Sequence, residues 1–445
     1  MTQSNRPARA PQPSRRDFLK TSTAVVGGAL AANLSIHRSA HAAEDGTLKV
    51  GLIGCGGRGT GAAINALNAD PNIKLTALAD VFPDKVEGSL KQLQASPHAD
   101  RIAVDPDHRF SGFDAYQQLI ESGVDVVLLA ATPHFRPRHL KAAVDAGKHV
   151  FCEKPVAVDA PGIRSVLAST EAAEKKGLCL VSGLCWRYHF GVQETMKRVM
   201  DGTIGEIVSI QETYNTSMVG RSQPREPGWS EMEYQLRNWY FFTWLSGDHN
   251  VEQHVHSLDK ASWAMSDKPP VRAWGLGGRQ IKNEPKYGNI YDHHAVVYEY
   301  ESGTRVYAYT RQQPGCWNST EDYFFGTQGT CNVLNKYRVE DRKGETTWRY
   351  DGPNCNMYDE EHKALFAAIR SGNPINNGGY MATSTMLAII GRMVTYTGQA
   401  ITWEQAMNSQ ETLAPSQYSW DADPPSMPGE NGQYPIAMPG VTKLV

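Results

Sequence analysis

An α/β region built on a parallel sheet, followed by an α+β region with a mostly antiparallel open sheet, is the fold class this 445-residue sequence predicts. Three observations predict it. Near residue 50 a short apolar strand runs into a spaced-glycine turn and then a helical pattern. Apolar runs without polar alternation then take turns with amphipathic stretches as far as residue 183, the mark of parallel strands covered on both faces. Beyond Gly183 the strand-like runs become β-branched and aromatic, with a hairpin-type turn between two of them.

The first element begins at Leu48 and passes directly into Gly54-Cys55-Gly56-Gly57-Arg58-Gly59, with a helix expected over 60–68. This placement makes it a dinucleotide-binding Rossmann turn. Gly54 permits the tight bend, Gly56 lets backbone approach a pyrophosphate, and Gly59 allows close helix–strand packing. Gly57 and Arg58 complete the loop. A second strand over 75–79 ends in Asp80, placed to bind ribose hydroxyls and to repel a 2′-phosphate, which favours NAD over NADP. Arg58 keeps that choice open. Helices are expected over 84–93, 113–121, 137–146 and 160–176, and strands over 124–131, 149–152 and 178–182. Ligands of such sheets lie at the carboxyl ends of the strands. Thr132-Pro133 and Glu153-Lys154-Pro155 each follow such an end, and Lys154 falls where a nicotinamide ring would lie.

In the second half, strands are expected over 207–214, 295–301 and 305–310, the last two joined through Glu301-Ser302-Gly303-Thr304. Between them lies an aromatic stretch with Trp229, Trp239, Tyr240, Phe241, Phe242 and Trp244, suited either to a sugar-stacking wall or to core packing. Residues 247–259 concentrate ionisable groups. If helical, they put Glu252 and His256 four apart on one face, continued by Asp259, with His254 on another side. A carboxylate that orients an imidazole gives a general base near neutral pH. A metal reading is weaker, because no further acid–histidine cluster completes a site, and no metal is expected. Helices are expected over 359–370 and 384–396, then an irregular Pro/Gly-rich tail over 414–445.

Composition narrows the function classes. Net charge is −3, and the first 42 residues carry six Arg/Lys against one acid, so the remaining body is mildly acidic. It offers no electrostatic footprint for nucleic acid. The seven cysteines are odd in number and include no C-x-x-C pair, which argues against a metal cluster or a full disulfide framework. Ser14-Arg15-Arg16-Asp17-Phe18-Leu19-Lys20, a mild apolar run and Ala40-His41-Ala42-Ala43 read as a twin-arginine export signal over 1–42. That implies the twin-arginine machinery as a partner, a periplasmic or otherwise exported location, and a cofactor held tightly and recycled in place. The organisation expected beyond the signal is a cofactor-binding domain over 47–183 and a substrate and oligomerisation domain over 184–413.

From Lys49 to Met407 the residues resemble the Gfo/Idh/MocA family of glucose–fructose oxidoreductase and inositol dehydrogenase relatives. The resemblance rests on the glycine loop, Ala131-Thr132-Pro133, the run Ala146–Pro155 ending in Glu-Lys-Pro, Gly202-Thr203-Ile204-Gly205, Val255-His256-Ser257-Leu258-Asp259, and Tyr396-Thr397-Gly398 followed by Trp403. It implies that Lys154 lies beside the nicotinamide and the substrate hydroxyl, with His256 as acid–base partner. Members commonly place an aspartate four residues before that histidine, where this chain has Glu252. Arg187 and Tyr188 fall where relatives place a substrate-contacting pair, and Trp239 and His254 complete the expected substrate contacts. The implied activity is hydride transfer between a sugar or polyol carbinol carbon and NAD in a homo-oligomer, a dimer or tetramer. A redox-neutral glycoside cleavage using resident NAD is the alternative, and a non-catalytic sugar-binding relative is the third reading.

Overall fold

Six short apolar runs form the first sheet: β1 (Leu48–Ile53), β2 (Ile73–Asp80), β3 (Arg109–Ser111), β4 (Val126–Leu129), β5 (His149–Cys152) and β6 (Leu180–Ser182). The computed structural model describes residues 46–334 and 336–444, so the export segment expected over 1–42 lies outside the described residues. The strands lie in the order β3-β2-β1-β4-β5-β6 and every pair is parallel. β4 shows why: its Val-Val-Leu-Leu is buried at all four positions, so it suits only a sheet covered on both faces. The covering helices are α1 (Gly57–Ala69), α2 (Pro83–Gln94), α3 (Ala115–Glu121), α4 (Arg136–Asp145) and α5 (Ala160–Lys175). Strand order reverses between β1 and β4, which opens a crevice at their carboxyl ends.

A short helix, α6 (Phe190–Met200), leads into a nine-stranded sheet. Its strands are β7 (Ile207–Thr216), β8 (Arg272–Gly278), β9 (His293–Glu299), β10 (Arg305–Gln312), β11 (Ser319–Gly326), β12 (Gly329–Asn332), β13 (Arg338–Asp341), β14 (Thr346–Arg349) and β15 (Ile401–Thr402). The order is β14-β13-β12-β11-β7-β10-β9-β8-β15, antiparallel except for the parallel pair β7–β10. The turn after β9 is as expected, with Gly303 at φ +84° and a Tyr300–Thr304 backbone bond. Strand alternation buries Val306 and Ala308 on one face and leaves Tyr309 on the other.

Four helices of the second half are α7 (Glu231–Arg237), α8 (His249–Glu252), α9 (Val255–Ala264) and α10 (Met357–Ser371). A fifth, α11 (Gly378–Thr397), is apolar along most of its length and packs against β8, α9 and α5. α10 lies on α1, where Asn65 Nδ2 donates to Asp359 (2.7 Å) and Arg370 pairs with Asp70. The irregular tail binds its own chain. Trp420 stacks near Phe113 and Phe82 (ring centroids 4.9 and 5.5 Å), Tyr418 hydroxyl meets His134 Nε2 (2.8 Å), and Tyr434 donates to Glu231 (2.6 Å).

Candidate active site

The glycine loop sets the back of the site. Gly54 has φ +100°, and a Cβ there would lie 2.2 Å from the Ala131 nitrogen; at Gly59 it would lie 1.8 Å from the Gly54 oxygen. No side chain fits either position, because strand β1, the loop and α1 touch through bare backbone. Gly56 and Gly57 are the opposite case: a Cβ at either meets nothing within 4 Å. They face open space at the N-terminus of α1, which no side chain caps. Unsatisfied amides, a helix dipole and free room fit a dinucleotide pyrophosphate.

These glycines line a cavity of about 580 Å³ at the carboxyl ends of the strands, together with Asp80, Thr132, Glu153, Lys154, Glu252 and His256. Asp80 accepts from the backbone amides of Cys55 (2.7 Å) and Phe82 (3.0 Å), which fix its carboxylate, while burial raises its pKa. Thr132 keeps a buried hydroxyl without a partner, and Pro133 is buried behind it at the start of a short turn. Arg58 forms an ion pair with Glu153, a longer one with Glu361 of α10 (3.6 Å), and lies over the Tyr358 ring. Its guanidinium is thus committed to carboxylates rather than free for a 2′-phosphate.

Lys154 is the centre of the polar end. Its Nζ donates to the Glu252 carbonyl (2.6 Å) and to Glu252 Oε1 (3.1 Å), and both side chains are nearly enclosed. Glu252 Oε2 is buried and unpartnered. Burial raises the Glu252 pKa, opposed by Lys154 and by Arg136, whose own guanidinium donates to the Pro155 carbonyl. His256 reaches the same cavity with Nδ1 shielded and unpartnered. Burial, then Lys154, Lys260 and Arg58, push its pKa well below 6.5, so the ring is neutral at physiological pH.

The expected pairing of Glu252 with His256 is corrected by the structure. The spacing predicts one helix face, but the chain turns at Gln253–His254 and splits the segment into α8 and α9. Lys154 takes the Glu252 carbonyl, which a continuous helix would offer to the His256 amide, and that amide bonds Gln253 instead (3.3 Å). Glu252 therefore holds Lys154, not the imidazole.

Three expected substrate contacts also sit elsewhere. Arg187 is locked between Asp259 (2.9 Å) and Asp267 (2.6 Å) and lies over Tyr380. Tyr188 donates to Asn377 (2.8 Å), and His254 is buried against Asn250 (3.2 Å) with its pKa pushed down to about 3 by burial. None of the three is on the cavity wall, whereas Trp239 is. Sequence reasoning passed over Arg136, Arg221, Gln253 and Tyr358, which line the cavity from a helix, two loops and the distant α10. No motif marked them.

Asp248, His249 and His294 bring ligand-type atoms within 4.8 Å of one another beneath α8. Asp248 is already saturated: its oxygens accept from the His249 amide and Nδ1 (2.8 Å), the Tyr291 amide (2.9 Å) and the Tyr396 hydroxyl. The cluster is a hydrogen-bonded anchor.

Residues 48–184 match the model of an oxidoreductase family with an NAD-binding Rossmann fold. The chain is 26% identical over 290 residues to 2,7-anhydro-N-acetylneuraminate hydratase of Escherichia coli K12, covering 64% of this chain and 67% of that protein. It is 25% identical over 270 residues to an inositol 2-dehydrogenase/D-chiro-inositol 3-dehydrogenase of Lactiplantibacillus plantarum, covering 59% and 65%. Its fold is similar to that of aldose–aldose oxidoreductase from Caulobacter crescentus, solved with glycerol: TM-score 0.62, 18% identity, 80% of this chain and 99% of that one.

Proposed function

This chain belongs to the Gfo/Idh/MocA oxidoreductase family, and from that premise we propose that it transfers hydride between a carbinol carbon of a sugar or polyol and a tightly held NAD. The observation that carries this reading is the enclosed Lys154–Glu252 pair, opposite His256, at the polar end of the glycine-loop cavity. NAD, when bound, supplies the hydride-accepting C4. Lys154 Nζ holds the substrate oxygen by a charge-assisted hydrogen bond and stabilises the charge that develops there. Neutral His256 takes the hydroxyl proton, directly or by way of Lys154. Glu252 fixes the lysine and keeps its second oxygen free for a neighbouring hydroxyl or water. Asp80 and the engaged Arg58 support NAD over NADP.

A redox-neutral variant of the same chemistry has its own support. The Escherichia coli relative is a hydratase, and adding water changes no net oxidation state. A transient oxidation that acidifies a neighbouring C–H, followed by elimination, water addition and re-reduction, consumes no outside cofactor. That suits the export address read from Arg15-Arg16 and Ala40–Ala43, and a homo-oligomer in the periplasm completes the reading.

The test uses protein purified from the exported fraction without added cofactor. We expect near-stoichiometric NAD on denaturation. Lys154→Met should keep that NAD and lose about 10²- to 10⁴-fold in turnover. Full turnover by the variant, or an empty protein in the exported fraction, would overturn the assignment.

A further inference from the structure

A second cavity of about 270 Å³ adjoins the first and shares Arg221, Arg237, Trp239, Glu252 and Gln253 with it. Glu252 is the hydrogen-bond partner of Lys154, so this space borders the reacting end of the proposed site. Its charges are nearly all neutralised. Glu252 is paired with Lys154, and Arg237 is taken by Glu233 (2.9 Å) and Asp84 (3.2 Å). Arg221 alone of the shared cations has no ion-pair or hydrogen-bond partner among the described residues.

Its backbone is held on both sides. Gly220, at φ +84°, lies so close to Tyr240 that a Cβ would stand 3.0 Å from the ring, and the Tyr240 hydroxyl is fixed by Gln312 (2.6 Å). Two residues further on, the Gln223 amide donates to Asn238 Oδ1 (2.6 Å), and Asn238 Nδ2 returns a bond to the Gln223 carbonyl (3.2 Å). A tethered, unpaired guanidinium lining the same cavity as an indole is a poor match for a wholly neutral sugar. It matches a planar anion bidentately, with the indole as a face for a ring.

We propose that the second cavity receives the carboxylate of an acidic sugar, with Arg221 as the specificity-determining contact and Trp239 as the ring platform. The orientation rests on the site reading above; the carboxylate preference rests on Arg221 itself. The proposed substrates are therefore uronates, aldonates or ulosonates rather than neutral hexoses or inositols.

Calorimetric titration of NAD-loaded protein at fixed ionic strength tests this with D-glucuronate, D-galacturonate, the matching neutral hexoses and glucose 6-phosphate. The uronates should bind at least tenfold tighter than their neutral partners. Arg221→Gln should bring them down to the neutral level and leave the neutral sugars unchanged, and Arg221→Lys should restore part of the gap. Equal affinity for acid and neutral sugars, or an undiminished gap in Arg221→Gln, overturns the proposal. Tighter binding of glucose 6-phosphate than of either uronate overturns the carboxylate assignment. Because binding is read without turnover, a uronate that binds but reduces no NAD counts against the hydride-transfer reading alone.

Discussion

Burial and neighbouring cations hold His256 and His362 neutral, and His362 isolates that effect. Neither of its ring nitrogens has a hydrogen bond, its ring centroid is 4.1 Å from that of Phe151, and burial plus Arg58 push its pKa down to about 3. In the unfolded chain it titrates near 6.5, so above that pH it is neutral in both states. As pH falls from 6.5 toward 3, the unfolded state binds a proton that the folded state refuses. Stability is then lost by about 1.4 kcal/mol per pH unit. Replacing it with leucine removes this penalty. His362→Leu should gain roughly 2 kcal/mol on the wild type between pH 7.5 and pH 5.0, read as a change in urea midpoint difference. Equal differences at both pH values would refute the account. The same physics leaves His256 neutral and able to accept a proton, whereas a histidine paired with Glu252 would have held its charge more readily.

The shortest functional element, α8, owes its existence to what flanks it. Asp248, at φ +83°, caps its start and ties it to Tyr291 and Tyr396; Lys154 takes the carbonyl at its end. Asp248→Ala should cost roughly 3 kcal/mol, because it removes a cap and leaves His249 Nδ1, the Tyr291 amide and the Tyr396 hydroxyl without their acceptor. It should also displace Glu252 and lower sugar turnover more than NAD content, a split that enzyme-bound NAD and rate measurements resolve. How legible these elements were depended on the range of the forces that make them. The glycine loop, the apolar strands around Val126 and His149, and the Gly303 turn are local, and sequence pattern finds them. The break in the 247–259 helix comes from Lys154, 98 residues away, and the capture of Arg187 comes from Asp259 and Asp267. β8 carries glycines at 275, 277 and 278, and with no side chains there to set an alternating pattern it escaped notice. A Cβ at Gly275 would meet the Ala295 carbonyl at 2.5 Å, so close backbone contact in the sheet is what those glycines serve.

Across the whole molecule, one face of the nine-stranded sheet is covered by helices, while its other face presents Leu276 (69% exposed), Tyr309 (38%) and Phe325 (37%). An apolar patch of that kind suits a second copy of the chain. If the proposed homo-oligomer forms through this face, Leu276→Glu combined with Tyr309→Glu should lower the mass to that of a monomer in light scattering, with little change in bound NAD; an unchanged mass would exclude this face. The tail has a different consequence. Trp420 rests on Phe82 and Phe113, both of which line the cavity at its Asp80 end, and the segment is pinned again at Tyr434 and Ala437. No tail residue lines the cavity itself, but Trp420 bears on two residues of its wall, so the hold on a bound dinucleotide depends in part on how often that stretch opens locally. Mild urea, far below the global transition, should therefore speed NAD release several-fold while the sheets stay folded. Deleting residues 414–445 should speed release and reduce its sensitivity to mild urea.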